Sequence, residues 1–217
     1  MPSASDLPDR FQALTASLRA LAERGVPKAF RKGQRLIDEG DTGDTLFIIT
    51  KGRLRTFGSN DNGREITYGT YGPGEYIGEM SLDGGLRSAN VEAVEATECI
   101  QVTRQTLLLH IAEHPEFALE LITKVIRQAR AATASTKHLA LHDAYGRLVL
   151  LLDSLAGPPA ADGSRALRER LTHQEIANRL GCSREMVSRL MKDLEGGGYV
   201  RVAADSMSLP RPLPARW

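Results

Sequence analysis

The chain has 217 residues, 41% hydrophobic and 25% charged, the proportions of an ordinary globular protein of one large or two small domains. A formal net charge of +1 excludes a globally basic nucleic-acid coat, so any such binding must come from a local patch. Cys99 and Cys182 match no metal-type spacing and point to a reducing compartment; with no apolar window of ~20 residues and no signal-peptide pattern around Asp6 and Asp9, a cytoplasmic protein without membrane partners is expected.

Residues 11–24 read as a short helix ended by Gly25 and Pro27. From about 27 to 104 the chain is rich in glycine and in short β-type runs, at 46–49, 53–57, 65–68, 91–94 and 99–102. Turn signals at 39–44, 61–63 and 72–74 separate them, and this spacing predicts an antiparallel sandwich or barrel of jelly-roll type. Within this region, 74–89 suits a phosphate. Its glycines allow close backbone approach, and a helical turn after Gly78 would aim free amides at an anion. Arg87 can grip a phosphate through its fork, while Ser88 adds a hydroxyl and an amide. Glu79 would repel that phosphate unless its carboxylate accepts a neighbouring ribose hydroxyl, so the set suits a sugar phosphate. A plain loop with a surface ion pair fits the same residues taken alone.

From Pro115 to about His142 there is no glycine and no further proline. Ile122, Val125, Ala129, Ala132, Thr136 and Leu139 alternate at spacings of three and four, a coiled-coil seam of roughly three heptads or a stripe packed on the chain's own domain. Asp143 can cap a new helix carrying Leu148, Leu151, Leu152 and Leu155, so a hinge is expected near residue 142, followed by a loop at 157–163. Thr172 and Glu175 then form a capping box that starts a helix with Ile176, Ala177 and Leu180 on its buried face. Gly181 stops it, and Ser183 caps a second helix with Val187, Leu190, Met191 and Leu194 on one side. The other side carries Arg184, Glu185, Ser188, Arg189 and Lys192, the set that reads base edges, since arginine donates to guanine and a carboxylate accepts from cytosine. An amphipathic hairpin with a solvated charged face has the same pattern; the short Gly-Cys turn, both caps and the clustered arginines favour DNA. Residues 196–198 end the second helix, 199–202 and 206–209 suit a small hairpin wing, and the proline-rich tail to Trp217 carries no signal.

In this order, Gly33, Gly40, Asp41, 46–49, Gly52, Gly74, Glu75, 77–80, 87–89, 143–147 and 182–189 resemble the landmarks of the cyclic-AMP receptor protein/fumarate–nitrate regulator superfamily of bacterial transcription regulators, across about 29–210. The resemblance implies an α+β chain. An N-terminal helix and β-roll (jelly-roll-like) cyclic-nucleotide-binding domain would cover 1–114, a dimerisation helix 115–142, and a C-terminal winged helix-turn-helix 143–217. Gly78 and Glu79 correspond to ribose contacts, Arg87 and Ser88 to cyclic-phosphate contacts and Thr133 to a base contact, and Met80 and Ala89 complete the expected ligand-binding set. Arg184, Glu185 and Arg189 match the base-reading residues, implying a palindrome with TGTGA-like half-sites; Thr172, Gln174, Ser183, Ser188 and Lys192 complete the expected DNA-contacting set. Double-stranded DNA and a second copy are the implied partners, and the loop at about 156–166 falls where such activators touch RNA polymerase.

Two departures bear on the effector. Ala132 stands where the resemblance calls for a base-contacting hydroxyl, and the segment between Glu79 and Arg87 is slightly short. Cyclic AMP is expected, with cyclic GMP, cyclic di-GMP or no ligand left open. No cysteine precedes Cys99, which argues against an iron–sulfur cluster, and the first histidine, His110, lies beyond the β region. His110/His114 and His138/His142 are i, i+4 pairs lacking a third ligand, so packing rather than metal is expected of them. No nucleophile–base pair stands out, and the chain reads as a non-enzyme.

Overall fold

The run 46–49 lacks alternation because both of its faces are covered. In the computed structural model, which describes residues 11–61 and 63–214 apart from the side chains of 138–141, it forms the centre of β3 (Thr45–Lys51). Leu46 and Ile48 face one core, with Leu18, Leu21, Ile100, Val102, Leu107 and Phe117. Phe47 and Ile49 face another, with Ile37, Leu54, Ile77, Val91, Ala93 and Cys99. A period-2 strand thus joins two cores.

Around it lie β1 (Val26–Phe30), β6 (Tyr76–Ile77) and β8 (Thr97–Thr103) in a sheet of order β1-β8-β3-β6. A second sheet, order β2-β7-β4-β5, holds β2 (Arg35–Ile37), β4 (Leu54–Ser59), β5 (Glu65–Tyr71) and β7 (Asn90–Ala93). The apolar core between the sheets is the jelly-roll-type arrangement expected. The first core is closed by α1 (Ala16–Ala22), α2 (Arg104–Glu113) and the first turns of α3 (Glu116–Leu141).

The chain divides into two compact units, one of residues up to 59 with 67–128, the other of 60–66 with 129 onward. The boundary falls between Gln128 and Ala129, within α3. In the second unit α4 (Ala144–Leu155) starts where Asp143 accepts from the Gly146 amide at 2.7 Å. Leu148 and Leu152 bury fully against Ile176, Leu180, Val187, Met191 and Leu194. These come from α5 (His173–Leu180) and α6 (Arg184–Gly196). The expected wing forms from β10 (Arg201–Val202) and β11 (Met207–Leu209), and β9 (Arg165–Ala166) adds a third strand. The expected first helix is shorter than 11–24, and Asp6, Asp9, Trp217 and the side chains of His138 and Leu139 lie outside the described residues.

Candidate functional site

The phosphate-type loop is built around one glycine. Gly78 has φ +95°, which only glycine adopts without strain, and an added Cβ would stand 2.5 Å from the Thr45 carbonyl oxygen. The turn it permits is a short 3-10 helix (Glu79–Ser81), as the sequence suggested. Arg87 reaches back beneath it. Its guanidinium donates to the Gly78 carbonyl at 3.0 Å, to the Thr45 carbonyl at 3.1 Å and to Thr45 Oγ1 at 3.0 Å. Gly43 lies so close that a Cβ there would sit 2.5 Å from Arg87 Nε. The Arg87 backbone is pinned as well, its amide to the Asp41 carbonyl and its carbonyl to the Gly40 amide. Gly40 has φ +85°, a conformation that favours glycine.

Arg87 is only 7% exposed, and the described acceptors of its guanidinium are neutral oxygens. Burial pulls its pKa down, while Asp44 and Glu79 act at longer range to hold it up. Glu79 is buried too, and both its oxygens are engaged by α3: Oε2 lies 3.1 Å from Lys124 Nζ, and Oε1 accepts from Gln128 Nε2 at 2.7 Å. Lys124 also donates to the Tyr76 carbonyl and sits 3.8 Å from the Tyr76 ring centroid. Burial lowers the Lys124 pKa, and Glu79 opposes that shift. Met80 and Ser88 are exposed and Ala89 is half-buried. The Thr133 hydroxyl donates to the Ala129 carbonyl of its own helix at 3.0 Å. Gly78, Glu79 and Arg87 are thus brought together, and the sequence reading missed Thr45, Lys124 and Gln128. Thr45 adjoins the recognised β run, but nothing local marks the other two.

In the second unit the capping box at Thr172 is complete. Thr172 Oγ1 accepts the Glu175 amide at 3.2 Å, and the Glu175 carboxylate accepts the Thr172 amide at 2.7 Å. The Thr172 hydroxyl also donates to Glu175 Oε2, so it is committed to the cap. Gly181 closes α5 at φ +64°, and Ser183 caps α6 by accepting the Met186 amide. This geometry turns Val187, Met191 and Leu194 inward and leaves Arg184, Glu185, Arg189 and Lys192 exposed on one helix. The Glu185 carboxyl is held below its usual range by its backbone amide and the Ser183 hydroxyl, so it stays an acceptor. Gln174, exposed, donates to Asn178 at 2.8 Å. Ser188 Oγ lies 2.9 Å from His173 Nδ1, a tie between the two helices that the sequence reading did not include. Arg147 donates to the His142 carbonyl at 2.8 Å and to the Leu180 carbonyl at 3.1 Å, which ties the start of α4 to the end of α5.

Among the described residues no group of three histidine, cysteine or carboxylate side chains is placed to hold a metal, and no helix is long and apolar enough to cross a membrane. Burial pushes the Cys99 thiol up to about 12 and raises that of Cys182, so neither is set up as a thiolate.

Residues 27–114 match the family model of the cyclic nucleotide-binding domain, and 170–198 that of the bacterial regulatory proteins of the crp family. The CRP-like cAMP-activated global transcriptional regulator of Mycobacterium tuberculosis is 30% identical over 201 residues, covering 91% of this chain and 90% of that one. The cyclic AMP receptor protein of Thermus thermophilus is 33% identical over 183 residues, 84% and 82% of the two chains. Among solved structures, the c-di-GMP responsive regulator CLP of Xanthomonas campestris superposes with a TM-score of 0.78 at 22% identity, over 89% of this chain and 97% of that one, a likeness of fold. The chain therefore belongs to the CRP/FNR superfamily, a DNA-binding transcription regulator with a cyclic nucleotide-binding domain and not an enzyme.

Proposed function

We propose that this regulator is a homodimer whose affinity for DNA is gated by a cyclic nucleotide, cyclic AMP first, bound against Arg87 and Ser88. The observation that carries the reading is Arg87, a buried guanidinium whose described acceptors are neutral oxygens. A buried cation whose counter-charges, Asp44 and Glu79, act only at longer range is costly, and a cyclic phosphodiester brings one negative charge in a shape the guanidinium fork fits. Cyclic AMP stands ahead of cyclic GMP because the relatives that share 30–33% identity are named for it.

The exposed side chains of Leu119, Ile122, Val125 and Ile126 on α3 supply an apolar seam for a second copy. Two copies would set their α6 helices about one DNA turn (~34 Å) apart, so Arg184, Glu185 and Arg189 would read a palindrome with TGTGA-like half-sites. The loop at 156–166 is assigned to RNA polymerase in the same proposal. Gating requires the ligand to bind the DNA-competent state more tightly than the other.

A second reading, control by cyclic di-GMP or by no ligand, is favoured by Ala132 and by the Thr133 hydroxyl already bonded to Ala129. Titrating cyclic AMP, cyclic GMP and cyclic di-GMP while measuring affinity for a TGTGA palindrome separates the two. The first reading expects cyclic AMP to raise affinity at least tenfold. A response to cyclic di-GMP alone, or to none of the three, overturns it.

A further inference from the structure

Ser188 sits inside α6, one turn from Arg184 and one from Lys192, on the stripe that faces DNA in the proposed reading. A serine within a helix ordinarily points to water or returns its hydroxyl to the carbonyl four residues back. Thr133 and Thr136 of α3 do the second, each donating at 3.0 Å. Ser188 does neither. Its Oγ lies 2.9 Å from Nδ1 of His173, the first residue of α5, and among the described residues neither side chain has a further hydrogen-bond partner. Both are half-buried. The neighbours that could compete for the ring are held in the cap, where Glu175 Oε2 accepts both the amide and the hydroxyl of Thr172.

This bond decides what the hydroxyl can still do. A hydroxyl has one proton and two lone pairs, and while it is free to turn it meets donors and acceptors on base edges alike. The free amides in the first turn of α5 favour a lone pair over an N–H at Nδ1, so the ring keeps its proton on Nε2 and Ser188 is the donor. Acceptance is then all that is left to Oγ. In the major groove adenine N6 and cytosine N4 are donors, whereas guanine O6 and thymine O4 stand in the same places as acceptors.

We propose that His173 is a positioning residue for base recognition. By taking the Ser188 proton it leaves an acceptor on the reading face, which selects adenine over guanine, or cytosine over thymine, at one position of each half-site. This rests on the assignment of α6 to base reading. The contact with the base belongs to Ser188, and His173 acts through it. Without the imidazole the same serine would accept either member of the pair, because its proton could turn toward guanine O6 or thymine O4.

Selection of bound sequences from a random DNA library by the full chain, with and without cyclic AMP, tests this in the wild type, Ser188→Ala, His173→Phe and His173→Asn. Phenylalanine keeps a ring without an acceptor, and His173→Ala serves if that variant does not fold. Asparagine can present its amide oxygen where Nδ1 stands. The wild type is expected to favour adenine or cytosine about tenfold at one position of each half-site, a preference that Ser188→Ala loses. His173→Phe should admit guanine for that adenine, or thymine for that cytosine, to within about twofold while every other position is unchanged. His173→Asn should keep the wild-type choice. A wild-type motif in His173→Phe, or an even loss of affinity on all sequences, overturns the proposal, because His173 then only braces the helices or touches the DNA backbone. A wild-type motif in Ser188→Ala overturns it as well. If the wild type selects no common sequence, the base-reading assignment of α6 fails and this proposal with it.

Discussion

Replacing Arg87 by methionine separates two roles that the structure gives one side chain. The guanidinium donates three hydrogen bonds that tie the Gly78 turn to β3, and methionine leaves the two carbonyls without that donor. Charged hydrogen bonds contribute about 1.5–3 kcal/mol each and are not additive, and the Thr45 hydroxyl can turn to another partner, so a loss of about 3 kcal/mol is expected. For a unit of this size that lowers Tm by roughly 10–15 °C. Loss of DNA binding by this variant would therefore say little about a ligand.

The discriminating quantity is the increment that ligand adds. A ligand that binds only the native state at a hundred times its Kd stabilises it by about 2.7 kcal/mol. Scanning calorimetry of the wild type with cyclic AMP should show that increment as a rise of about 10 °C. Arg87→Met should show none at the same concentration. Arg87→Lys keeps the charge without the fork and should retain less than half of the rise. An undiminished increment in Arg87→Met would refute the assignment of the phosphate to Arg87, however unstable the variant.

Three further outcomes are expected. His110 is fully buried and both its ring nitrogens lack a partner among the described residues; burial, His114 and Arg24 lower its pKa against the pull of Glu113 and Glu116. It folds neutral, so its contribution is full above pH ~6.5 and is lost as pH falls below that, by up to about 1.4 kcal/mol per pH unit. His110→Leu should raise stability by about 1–3 kcal/mol and flatten that slope, read from urea midpoints between pH 7.5 and 5. Glu185→Ala should relax discrimination at one base pair, costing ~1–3 kcal/mol against the preferred operator; an equal loss on every sequence would make Glu185 a backbone contact instead. Ile122→Lys places a charge in the exposed seam of α3 and should shift sedimentation from dimer to monomer while the far-ultraviolet spectrum is unchanged.

The elements legible in the sequence are those whose determinants are local. The two helices of the DNA module announce themselves through Thr172, Glu175, Gly181 and Ser183, each bonded within its own turn. Strand β3 is equally plain, because a run buried on both faces needs no partner to be recognised. The strands that escaped are short or irregular. β1 contains Pro27, β6 and β9 have two residues each, and β9 joins the wing by pairing with β11 some forty residues on.

The same contrast divides the two sites. On the DNA side, the charged face of α6 follows from spacing alone, and only His173, which bonds to Ser188 from the other helix, lay beyond that logic. On the effector side, Gly78, Glu79 and Arg87 lie within ten residues and could be read together. Their partners come from Thr45, Lys124 and Gln128, 42, 45 and 49 residues away along the chain from the residues they bond. A lysine and a glutamine on a polar helix look like any solvated pair until the fold turns them inward. Yet they bond both oxygens of the carboxylate that the resemblance assigns to ribose, so the proposed site is built from α3 as well as from the loop that identifies it. The family thus supplies the class of ligand, a cyclic nucleotide, while in the proposed site the side chains that face it include some outside the motif.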